Sequence, residues 1–189
     1  MFSTDADKLN FLIETEAELS ELAAHDGLFA RARAEERPKY ITNYIGSKQK
    51  LIDWIWKATP ESAKSAVDAF SGSSVVGYMY KTKGLAVQSF DRLAYCHHIA
   101  RAIVENDGVT LSEEEIESLL AENGKARDFV RKHFAGVYFE NDVLKLIDVV
   151  RSNIDGLSGY KKDIALFALG KTCIRSEEHT SELQSLAYL

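Results

Sequence analysis

Residues 66–77 read AVDAFSGSSVVG, and no other stretch constrains the chain more. Residues 66–70 form a strand-sized apolar run, a Gly/Ser cluster interrupts it, and VVGYMYKTK continues at helical spacing. Gly84 stops that helix, LAVQSF reads as a second strand ending at Asp91, and residues 92–105 read as another helix. On that helix Leu93, Ile99, Ala102 and Ile103 lie on or near one face. Strand, turn, helix, strand, acid, helix is the order of a βαβ unit, so the first half of the chain reads as α/β.

The flanks read as helical. Apolar Leu9, Leu12, Ile13, Ala17, Leu19 and Leu22 recur among acids over residues 5–24, which predicts an amphipathic helix ending near Gly27. Pro38 breaks any helix across it, and KYITNYIG reads as an extended approach to a glycine turn. A helix is expected over residues 48–58, burying Leu51, Ile52, Trp54 and Ile55, with Pro60 closing it. Ser112 and Glu115 have the spacing of a capping box, and further helices are expected near residues 125–134, 140–154 and 160–174. The expected organisation is an N-terminal helical extension (1–37), an α/β core (38–110), a helical insertion (111–174) and a tail (175–189).

Composition narrows the function classes. In 189 residues, 46% of them hydrophobic, there is material for a sizeable core. No apolar run reaches the roughly 20 residues of a membrane span. The acidic start MFSTDADKLNFLIETE lacks the basic and apolar segments of a signal peptide. Cys96 and Cys173 are isolated, as expected of free thiols in a reducing cytoplasm. The formal charge of −6 argues against a strongly basic nucleic-acid surface but leaves room for a local cationic face. His97 and His98 are adjacent on a helix and point about 100° apart, and with no CxxC or HExxH no metal is expected.

The Gly/Ser turn has the makings of a cofactor platform. Glycine lets backbone approach a ligand, and free N–H groups at a helix start attract acceptors. Asp91 lies about 20 residues on, where a strand-end acid can accept hydrogen bonds from ribose hydroxyls. An acid inside an apolar strand, Asp68, is costly unless it has a partner; it either serves a ligand or caps a turn. Tyr44, Gly46, Ser47 and Lys48 open the next helix upstream, either as a binding element or as an ordinary capped start. Tyr95 serves either the same pocket or the aromatic core.

Taken together, YIGSKQKL, then VDAFSGSS, then the acid of SFDRLAYCHHIARAIVEN resemble the Dam-type DNA adenine-N6 methyltransferases, in the family's own order. The resemblance covers residues 39–106, with a weaker likeness in KKDIALFALGKTCI. It implies a Rossmann-like methyltransferase fold, incomplete here, with helical N-terminal and C-terminal additions. It also implies S-adenosylmethionine as methyl donor and double-stranded DNA as partner, in the setting of restriction and modification. Tyr44, Gly46 and Lys48 would approach the methionine part of the cofactor, Asp68 and Phe70 would line the pocket beside Gly72, and Asp91 would hold the ribose. Residues 111–174 would begin the target-recognition region. Ser74 stands where the family usually has glycine, and Phe90 where it often has asparagine. A serine is tolerated at that position provided its φ is negative, with weakened cofactor binding as the worst consequence.

The family's catalytic motif, [DN]-P-P-[YF], holds a flipped adenine and directs its amine nitrogen toward the methyl group. Pro38 and Pro60 are the only prolines, both before the loop, so no catalytic residue is assigned and the chain as written is expected to be inactive. Residues 175–185, RSEEHTSELQS, look like an in-frame translation of a sequencing adapter, so the chain is expected to be a fragment with an artefactual tail; the alternative is a genuine polar tail. Without residues 175–189 the formal charge rises from −6 to −4. Two other classes fit the same βαβ pattern. A dinucleotide-dependent oxidoreductase would need the GxGxxG that SGSSVVG lacks, and a helical interaction module would bind no cofactor at all.

Overall fold

A parallel strand pair needs a long crossover, and residues 65–89 supply one. In the computed structural model, which describes residues 4–23, 46–137 and 139–186, β1 (Ser65–Asp68) and β2 (Ala86–Ser89) pair in parallel. Ser65 lies opposite Ala86 and Asp68 opposite Ser89. Between them α3 (Val75–Thr82) packs on both strands, burying Val75, Tyr78 and Met79. Among the described residues these two strands are the whole sheet. The protein is helix-rich, with a small parallel sheet.

Before β1, a 3-10 turn (Gln49–Leu51) leads into α2 (Ile52–Ala58). The helix is present, but Leu51 and Trp54 are 47% and 68% exposed, contrary to the burial expected of them. This short helix packs on α3, with Ile52 and Ile55 half-buried and Trp54 on its exposed side. After β2 comes α4 (Ala94–Ala100), which widens into a π turn (Arg101–Glu105) closed by a bond from Asn106 N to Arg101 O. Cys96, Ile99, Ala102 and Ile103 are buried, whereas Leu93 stands 55% exposed, just outside the helix as its N-cap. All of this belongs to one compact unit, Ala24–Thr110.

The second unit joins α1 (Thr4–Ala23) to the chain from Leu111 onward. Its other helices are α5 (Glu113–Leu120), α6 (Phe129–Phe134), α7 (Asn141–Ile154) and α8 (Gly159–Leu186). α1 packs against α5, α7 and α8, and the core gathers Phe11, Leu19, Ile116, Leu144, Ile154, Ile164 and Phe167. Buried hydroxyls are satisfied locally: Thr15 Oγ1 donates to Phe11 O and Thr172 Oγ1 to Ala168 O, each four residues back. The capping box is present, Ser112 Oγ accepting from Glu115 N while Glu115 Oε2 accepts from Ser112 N. α8 is one continuous helix well past residue 174. Burial pushes the Cys173 thiol up to about 12, so it is chemically quiet. No described helix is long and apolar enough to cross a membrane. The expectations for residues 24–45 fall outside the described residues.

Candidate cofactor site

The site is built at the carboxyl ends of two parallel strands. Two backbone bonds carry the ladder past Ser89: Phe90 N donates to Asp68 O and Ser71 N donates to Phe90 O. The loop that follows β1 is thereby tied to the end of β2. Gly72 takes a φ of +48°, the left-handed region that glycine enters without steric cost. Its N–H donates to Asp91 Oδ2 at 2.8 Å, and Leu93 N donates to Asp91 Oδ1 at 2.9 Å. The bonds from Leu93 N and Gly72 N hold the Asp91 carboxyl below its ordinary value of 3.8 and favour its ionised form. A carboxylate has about four acceptor positions, so Asp91 retains capacity for further donors.

Asp68 ends β1 half-buried, and its role is local. Oδ2 accepts from Gly77 N at 3.1 Å. Gly77 is the third residue of α3, the position whose orphan N–H an N-cap side chain ordinarily satisfies. Ser74, the N-cap itself, makes no side-chain cap bond. The strand-end carboxylate therefore caps the helix from outside its sequence. Burial raises the Asp68 carboxyl above 3.8, opposed by the Gly77 bond and assisted by the nearby Asp91 charge. The sequence pattern does not single out Gly77. A Cβ there would meet Ser89 Oγ at 3.0 Å and Asp68 Oδ2 at 3.4 Å, so the close approach of helix to sheet depends on glycine. The available signal is a glycine inside a helix one turn past the loop.

Ser74 is a correction. The tolerance argued for it required a negative φ, but its φ is +57°. The backbone there has the left-handed form that glycine favours, and serine carries its strain. Ser74 is fully buried, and its Oγ finds no hydrogen-bond partner among the described residues. Ser71 Oγ shares that condition. Two buried hydroxyls without partners among the described residues flank Gly72 at the start of α3.

The remaining residues fall unevenly about this centre. Gly46 has a φ of +83°, and Lys48 Nζ folds back to donate to Gly46 O at 2.8 Å. Ser47 Oγ lies 3.4 Å from Ser73 Oγ, which ties this segment to the loop. Phe70 is 90% exposed and makes no wall as it stands. Tyr44 lies outside the described residues. His97 and His98 sit on α4 with ring centroids 5.9 Å apart.

The D12 class N6 adenine-specific DNA methyltransferase family model matches residues 44–180, most of the chain and both of its units. The chain belongs to that family. Among curated relatives it is 29% identical over 133 residues to the Type II methyltransferase M2.HphI of Haemophilus parahaemolyticus, covering 70% of this chain and 39% of that one. It is 28% identical over 125 residues to the Type II methyltransferase M.NlaIII of Neisseria lactamica, covering 60% and 37%. The matched part thus spans about two-fifths of either relative's length. No solved structure matches. Family membership implies a methyl donor and leaves the oxidoreductase and interaction-module readings without support.

Proposed function

We propose that this chain carries the S-adenosylmethionine-binding part of a site-specific DNA methyltransferase that methylates adenine N6 in double-stranded DNA. The α/β unit would then be the opening of a Rossmann-like methyltransferase fold. One observation carries the cofactor reading: the glycine loop tied through Gly72 N to an ionised Asp91, with Ser71 and Ser74 hydroxyls beside it that have no partner among the described residues. Orphaned buried hydroxyls suit a polar ligand, because a buried polar group left unpaired costs about 1–3 kcal/mol. When bound, S-adenosylmethionine would supply an electrophilic methyl group.

What this chain's residues would do follows from their chemistry. Asp91 would accept hydrogen bonds from ribose hydroxyls with the acceptor capacity its two backbone bonds leave. Gly72, lacking Cβ, would let the loop backbone come close to the ligand. Asp68 would act mainly on the loop, by fixing where α3 begins, and less as a direct ligand. Tyr44, Gly46 and Lys48 would complete the methionine side of the pocket, Phe70 would line it beside Gly72, and residues 111–174 would start target recognition. M2.HphI and M.NlaIII are by name Type II methyltransferases, which supports a restriction-modification setting.

Calorimetric titration with S-adenosylmethionine tests the cofactor reading. Saturable binding is expected, and Asp91→Ala should weaken it at least tenfold, the effect of losing roughly 1.4 kcal/mol or more. An unchanged affinity would refute the assignment of Asp91. Mass spectrometry of DNA from cells expressing the intact gene should show N6-methyladenine at one short sequence.

A further inference from the structure

We propose that Arg127, Arg151 and Lys162, gathered on the single carboxylate of Asp155, form a phosphate-binding site for the backbone of duplex DNA. The three cations come from three segments of one unit: the approach to α6, the last turn of α7 and the first turn of α8. Arg127 Nη2 reaches Asp155 Oδ2 at 2.5 Å, while Arg151 Nη1 and Lys162 Nζ share Oδ1 at 2.7 and 3.3 Å. One negative charge answers three positive ones, so two remain for an outside anion. Arg127 is more than half exposed and the other two about one-third, so spare guanidinium and ammonium donors face solvent.

The cluster is held in place before any ligand arrives. Arg127 N donates to Ser152 Oγ, which in turn donates to Asp148 O. Asn123 Nδ2 donates to Asn153 Oδ1, and Asn153 Nδ2 donates to Leu119 O and Ala121 O, lacing the end of α5 to α7. Pre-positioned donors lose less freedom on binding than mobile ones. Stability alone gives a weak reason for the arrangement, since exposed ion pairs contribute about 0–1 kcal/mol each. Residues 125–162 hold eight Lys or Arg against five Asp or Glu, a balance of +3 in a chain of −6. A local cationic face in an acidic chain fits a polyanion, and a duplex presents phosphates at regular spacing.

This proposal rests on the reading of the protein as a DNA methyltransferase, and its test keeps the two separable. Binding of the 189-residue chain to a short mixed-sequence duplex is followed by fluorescence anisotropy across a salt series, with S-adenosylmethionine calorimetry on each variant. Arg127→Gln/Arg151→Gln/Lys162→Gln is expected to weaken duplex binding by roughly tenfold or more. The same variant should lower the log–log salt slope by about 2–3, near 0.9 for each phosphate no longer neutralised. Asp155→Asn, which frees all three cations, is expected to tighten binding several-fold, an effect that a purely structural ion-pair network would not produce. Lys162→Gln alone, a surface change that spares the fold, should show a smaller weakening of the same sign. Duplex affinity and slope unchanged in the triple variant, or no tightening in Asp155→Asn, would overturn the site. So would saturable binding of inorganic phosphate by a chain that ignores the duplex. In each of those outcomes intact S-adenosylmethionine binding leaves the methyltransferase reading standing; its absence in the unaltered chain would count against that reading instead.

Discussion

Ser74 departs from the pattern its neighbours follow, and the structure gives the departure a physical sign. A left-handed backbone costs an L-residue about 1–2 kcal/mol, and a buried Oγ with no partner among the described residues adds to that cost. Ser74→Gly should therefore stabilise the protein by about 1 kcal/mol after the extra unfolded-state freedom of glycine is deducted. Denaturant melts should show a higher midpoint with an unchanged slope; a lower midpoint would mean that the hydroxyl has a partner or that the strain is absent. The two acids divide similarly. Asp91 accepts from the loop N–H groups of Gly72 and Leu93, whereas Asp68 accepts from the N–H of Gly77 inside α3. The sequence marks both as unusual acids at strand ends, but a bond between residues nine apart, made only when strand and helix have folded together, leaves no trace in local pattern.

Among elements, α6 shows how a short helix can be fixed by a residue far from it in sequence. Six residues are too few to hold a helix by themselves. Asp148, 2% exposed on α7, accepts from Phe129 N, Val130 N and Arg131 N at 3.1, 2.9 and 3.0 Å, satisfying the first turn of α6. Asp148→Ala should cost about 2–4 kcal/mol, because three N–H groups lose their shared acceptor together, and hydrogen exchange should accelerate at those amides. A change within the ±0.5 kcal/mol typical of a surface substitution would argue against the clamp. Helices with strong periodicity or caps, α1, α5 and α7, are legible in the sequence, and so is the strand–turn–helix order. Less legible is the burial expected of Leu51 and Trp54, because periodicity identifies an apolar face but not whether a neighbour covers it. Asp148 itself has a signal, an acid one turn from Leu144 and beside Ile147 on the apolar side of α7, that points to a buried partner.

At the scale of the molecule, the proposed methyl-donor site and a base-holding group separate. The loop, Asp91 and the hydroxyls of Ser71 and Ser74 lie in the α/β unit, around the carboxyl ends of two strands. Parallel sheets are ordinarily covered on both faces, yet Val67, Phe70 and Phe90 are 63%, 90% and 56% exposed beside this one. Nothing in the 189 residues matches the Pro-Pro motif that orients adenine in the family, both prolines falling before the loop. Transfer requires the amine nitrogen to be aligned with the methyl group, and positioning of that kind is worth many orders of magnitude in rate. On the proposed reading, a pocket with donor-binding groups and no base-holding group should therefore bind and not react. With methyl-labelled S-adenosylmethionine and duplex DNA, the chain should retain the donor on filter binding and transfer no label to DNA above the protein-free background. Label appearing on adenine N6 would show that another side chain in these 189 residues aligns the amine, and would move the search for it to the neighbourhood of the exposed Phe70 and Phe90.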